Sequence, residues 1–123
     1  MSVKKNIAES TGIYFITFTC YGWLPLIELS KGYDAVYNFF TALNRQGHTV
    51  LTYVIMPNHL HLLLHYKGGK SLNTIIGNGK RFMAYEIVSL LEEKGEDTLL
   101  QKLKAEVKDK DRSRGKKHEI WDR

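Results

Sequence analysis

The chain has 123 residues, 43% apolar and 25% charged, a composition that suits one globular domain and excludes a disordered polyelectrolyte. Its formal charge of +5 is uneven: residues 1–100 hold nine Lys/Arg against eight Asp/Glu, and residues 101–123 hold nine against five. A single cysteine, Cys20, excludes an internal disulfide framework, and the apolar runs 53–57 and 60–64 fall far short of the ~20 residues of a membrane helix.

Residues 1–12 contain no apolar signal-like stretch, so a cytoplasmic protein with no membrane partner is expected. Residues 13–20 (IYFITFTC) are aromatic and β-branched, with Thr17 and Thr19 alternating against Ile16, Phe18 and Cys20; this predicts a strand. Beyond the connection Gly22-Trp23-Leu24-Pro25, apolar residues at Tyr33, Val36, Tyr37, Phe39, Phe40 and Leu43 recur at helical spacing over 32–45. Gly47 stands where a C-cap would.

Residues 49–56 and 59–66 predict two strands joined by the tight Pro57-Asn58 turn. Ser71 predicts the N-cap of a long helix that ends near Gly95. Its apolar stripe gathers Leu72, Ile75, Ile76, Gly79, Met83, Ile87 and Leu90, and Gly77 and Gly79 weaken its first turns. A last amphipathic piece, 98–107, aligns Leu99, Leu100, Leu103 and Val107.

The basic excess sits from there onward, at Lys102, Lys104, Lys108, Lys110, Arg112, Arg114, Lys116 and Lys117. Such a segment can neutralise phosphates; it can equally be a solvated, acid-interleaved helix followed by a loop.

Strand, helix, strand, strand, helix is the order of the first five elements of the ferredoxin-like split βαβ unit. The predicted fold is therefore an α+β sandwich with an antiparallel sheet and the helices on one face. A fourth strand would start at His118-Glu119-Ile120-Trp121. The sequence stops two residues later, so one domain over 1–123, cut before or within that strand, is expected.

His59 and His61 are two apart on the third strand and leave the same face, while Leu60, Leu62 and Leu64 leave the other. The histidines are thus expected on an open sheet face, where two imidazoles can share one divalent metal. His65 shares that face but lies about 13 Å from His61 at strand rise, too far for the same ion. Solvated histidines with no ligand role are the plain alternative.

The run Tyr53-Val-Ile-Met-Pro-Asn-His-Leu-His-Leu-Leu-Leu resembles the HUH motif (His, hydrophobe, His) of the single-tyrosine DNA transposases, which include small insertion-sequence and REP-associated enzymes. The opening strand Tyr14-Phe-Ile-Thr-Phe-Thr, the helix segment Leu72-Asn-Thr-Ile-Ile-Gly-Asn-Gly-Lys-Arg-Phe and the terminal His118-Glu-Ile-Trp are similar to the corresponding family segments. The likeness spans about residues 12–121.

It implies cleavage and transfer of single-stranded, hairpin-bearing DNA by a homodimer, with Mg²⁺ or Mn²⁺ on His59 and His61 and no small-molecule substrate. A tyrosine hydroxyl would attack phosphorus, forming a 5′-phosphotyrosine ester and releasing a 3′-hydroxyl. The family's nucleophile lies after the fourth strand, in a Tyr-Ile-x-x-Asn-Pro-like segment that has no counterpart here. The expectation is a domain that binds DNA but lacks its nucleophile.

Lys80, Arg81, Lys102, Lys104, Arg112, Arg114, Lys116 and Lys117 are the candidate DNA contacts. Tyr85, opposite the apolar stripe, is the internal rival for the nucleophile, or merely an outward ring. Tyr14, Tyr33, Tyr37 and Tyr53 read as packing residues, and Trp23 and Trp121 as core or interface. Two further readings stay open: an RNA-recognition-like binding module on the same topology, and an inactive transposase remnant.

Overall fold

The structure, a computed structural model, describes residues 10–122. Strand β1 (Gly12–Thr19) leads through a single 3₁₀ turn (Tyr21–Trp23) to α1 (Leu26–Ser30) and α2 (Tyr33–Arg45). The hairpin β2 (Thr49–Met56) and β3 (His59–Tyr66) follows, then the long helix α3 (Leu72–Glu93), α4 (Asp97–Ala105) and α5 (Asp109–Arg112).

The three strands form one antiparallel sheet in the order β1-β3-β2. Alternation decides what the sheet buries: on β1, Ile16 and Phe18 are inside, and on β3, Leu60, Leu62, Leu64 and Tyr66. Val36, Phe39, Phe40 and Leu43 of α2 and Ile76, Met83 and Ile87 of α3 complete that core. This α+β arrangement fits a ferredoxin-like split fold in general outline.

The predicted strands and both principal helices stand within a residue or two of their sequence bounds. Ser71 caps α3 as expected, its side chain accepting from Thr74 N at 3.0 Å. Two details differ. The buried stripe of α3 ends on Leu91 rather than Leu90, continuing the four-residue step from Met83 to Ile87. Gly79 is less a weak point of α3 than the place where α2 crosses it, with Phe39 filling the space a side chain would need.

The terminal segment closes the domain against β1. Cys20 and Trp121 form an antiparallel bridge, with Tyr21 N donating to Ile120 O (2.8 Å) and Asp122 N to Thr19 O (2.8 Å). That places residues 120–122 beside β1, where a ferredoxin-like fourth strand would run. Trp121 is buried against Phe18, ring centroids 5.7 Å apart. No helix of the described residues is long and apolar enough to cross a membrane.

Candidate functional site

His59 and His61 owe their common side to the pleat: they alternate with the fully buried Leu60 and Leu62 and remain half-exposed. Their ring centroids are 4.7 Å apart at an interplanar angle of 72°. Each ring is anchored through Nδ1, that of His59 by Asn58 Oδ1 (2.7 Å) and that of His61 by Thr17 Oγ1 (2.9 Å). Thr17 is the β1 residue directly across from His61, so strand register supplies this partner. An Nδ1–H donated to oxygen leaves the Nε2 lone pair as the outward donor, the orientation second-shell groups give to metal-binding histidines. Burial and the neighbouring His59 push the His61 pKa down, which keeps its ring neutral at neutral pH.

Aromatic side chains flank the pair. Phe15 stacks on His61 (centroids 5.4 Å, interplanar 17°), and Trp23 meets His59 edge-on at 6.1 Å. Both are well exposed, Phe15 at 63% and Trp23 at 65%. Of the expected core or interface placement, Trp23 is thus not part of the core. Its backbone takes the left-handed region (φ 61°), a costly conformation for a bulky residue, and this turns the indole outward beside His59. Nothing in the local sequence signals that φ.

His65 sits opposite Ile13 and Thr49 at the other end of β3, away from the pair. Among the described residues, no group of three or more His, Cys, Asp and Glu side chains is placed to hold a metal ion.

The basic residues divide. Lys80, Arg81, Arg114, Lys116 and Lys117 come together along a cleft of about 760 Å³ between α3 and the segment 114–122. Tyr85 lines the same cleft, 60% exposed, on the side of α3 turned away from the sheet core. Lys104 faces a separate shallow recess with His118, and Lys102 projects from α4 into solvent. Arg112 is used internally: its guanidinium donates to Val107 O (2.9 Å) and pairs with Asp109 at 3.3 Å.

Comparison of the chain with protein-family models, curated proteins and solved structures finds no match.

Proposed function

We propose that this domain binds single-stranded DNA and a divalent metal as the HUH portion of a single-tyrosine transposase, with the histidines on the open face of a ferredoxin-like sheet. The observation that carries the reading is the pair of rings 4.7 Å apart, each fixed through Nδ1 by an oxygen. The donor set fits an octahedral ion that takes two imidazole nitrogens and fills its shell with water or phosphate oxygens, a preference nearer Mn²⁺ than Mg²⁺. His59 and His61 would hold that ion, which when bound supplies Lewis acidity to a backbone phosphate.

The chain's own groups then have simple tasks. Asn58 and Thr17 hold the imidazoles in orientation, and the Asn58 Oδ1 acceptor selects the His59 tautomer whose Nε2 lone pair points outward. Phe15 and Trp23 offer exposed rings on which the bases beside a bound phosphate can stack. Tyr85 lies on α3, across the sheet from the histidines, so its hydroxyl is not offered to a phosphate held there. Tyr85 therefore forms no covalent adduct with a strand bound at the histidines. A second copy of the chain belongs to the proposal, and light scattering that finds a strict monomer at high concentration would remove that part.

The test is calorimetric titration of Mn²⁺ into the wild type and a His59→Ala/His61→Ala variant. Wild-type binding lost in the variant is expected; equal weak binding by both proteins would overturn the metal reading.

A second reading is favoured by Phe15 and Trp23 alone: a metal-free binding module that holds single-stranded RNA on the exposed sheet by stacking. RNA affinity unaffected by EDTA and lost in Phe15→Ala would select it.

A further inference from the structure

The cleft between α3 and the segment 114–122 is built from two walls fixed to each other. Trp121 Nε1 donates to Lys80 O (3.0 Å), and Lys80 Nζ donates back to Asp122 O (3.2 Å), which closes one end. Behind the second wall, Lys116 pairs with the fully buried Glu119, and Glu119 N donates to Leu103 O (3.1 Å). The second wall is thus tied to α3 through Trp121 and Asp122 and to the core through Glu119.

The lining sorts into two chemistries. Along α3, Arg81, Tyr85 and Val88 follow one another at the three- and four-residue spacing of a single helix face, giving a cation, an aromatic ring and an aliphatic patch. Arg114 and Lys117 face them from the other wall. Among the described residues none of Arg81, Arg114 and Lys117 forms an ion pair. Of the two acids on the rim, Asp122 has its carboxylate turned to Gly22 N (3.2 Å), leaving Glu92 as the acid at the opposite end. The cleft therefore has excess positive charge beside an exposed ring and an apolar floor. From Gly77 to Glu92 its α3 wall runs about 22 Å at 1.5 Å per residue, longer than one nucleotide.

We propose that this cleft is a second nucleic-acid site: a single-stranded segment lies along it with phosphates on Arg81, Arg114 and Lys117 and a base stacked on Tyr85. The choice of ligand rests on the nucleic-acid reading given above, while the place is independent of the histidines. A paired duplex is disfavoured because its bases are already stacked, so Tyr85 and Val88 would gain nothing from it. The site lies on the far side of α3 from the sheet, so a strand held here leaves the His59/His61 surface free for another part of the same molecule.

The test is fluorescence anisotropy of a labelled, mixed-sequence 12-nucleotide DNA in EDTA, where no metal contribution remains. Four proteins are compared with wild type: Tyr85→Ala, Tyr85→Phe, Arg81→Gln/Arg114→Gln/Lys117→Gln, and His59→Ala/His61→Ala. All the changed side chains are exposed or half-exposed, and circular dichroism checks that each variant is folded. Loss of about ten-fold or more in Tyr85→Ala, retention in Tyr85→Phe, and a salt slope shallower by about 2 in the triple variant are expected. The histidine variant reports any share of the binding that belongs to the sheet face. Competition by a free deoxynucleoside monophosphate at micromolar concentration would assign the site to a mononucleotide and overturn the strand proposal. Wild-type binding that survives both cleft variants but falls in the histidine variant would overturn the cleft while sparing the nucleic-acid reading. Absence of binding by the wild type would overturn both.

Discussion

A Cβ added to Gly79 would lie 2.1 Å from Cε1 and 2.5 Å from Cδ1 of Phe39. Helix α3 can approach α2 this closely only because residue 79 has no side chain. Two glycines on one helix should therefore respond oppositely to alanine. Gly79→Ala is expected to lower stability by ~1–3 kcal/mol through overpacking, although alanine is the better helix former by about 1 kcal/mol. Gly77 has nothing within 4 Å of its absent Cβ, and Gly77→Ala should raise stability by about 0.5–1 kcal/mol. Urea unfolding of the two variants checks both signs.

A second prediction concerns acid. His48 is 3% exposed, stacks on Tyr66 at 5.0 Å, and accepts from Lys67 N at 3.1 Å through Nδ1. Burial first, then the Lys67 charge, hold its pKa below the usual histidine value. The unfolded chain thus takes up the proton at a higher pH than the folded one. The stability tied to His48 is complete above about pH 6.5 and is lost as pH falls below it. His61 and His118 are shifted in the same direction and add to the slope. His48→Asn keeps an acceptor for Lys67 N without a titrating ring. It should be less stable at neutral pH because the stack is lost, yet show a shallower decline between pH 7 and 5 in thermal melts.

The β-hairpin and the cap of α3 were legible because each rests on a local rule: alternation in His59–Tyr66, a two-residue turn at Pro57-Asn58, and a hydroxyl at Ser71. α1 was not, since the five residues Leu26–Ser30 are too few to display a period. The histidine pair was readable from spacing, but its anchoring by Thr17 depends on the register of β1 with β3. The basic cleft was less accessible still. Lys80 meets Asp122 across 42 residues, and the guanidinium of Arg112, which charge counting places with the others, is spent on the carbonyl of Val107.

Cys20 provides a kinetic prediction. It is fully buried, and burial pushes its thiol up to about 11, so little thiolate exists at pH 8 in the folded protein. An aromatic disulfide reagent should react slowly with the native chain and rapidly once urea unfolds it. Fast labelling of the native protein would show that the Cys20–Trp121 junction opens readily.

The two tryptophans should be separable by light. Trp121 is buried and Trp23 is 65% exposed, so iodide should quench only part of the emission, and the unquenched part should be blue-shifted. Trp23→Gly should remove the quenchable part. The same change should leave stability equal or higher by up to about 1 kcal/mol, because glycine accepts φ 61° without the steric cost.

The hydrogen bond from Gly22 N to Asp122 joins positions 100 apart in sequence, beside the Cys20–Trp121 bridge. At ribosomal rates of ~5–20 residues per second, roughly 5–20 s separate the synthesis of these partners. Throughout that interval Phe18 lacks the indole that covers it, and the second wall of the basic cleft does not exist. The nascent domain is then a sheet and helices with an unfinished flank. Exposed apolar surface on that flank is the natural target for a chaperone, and it should be released only after residue 121 has left the ribosome.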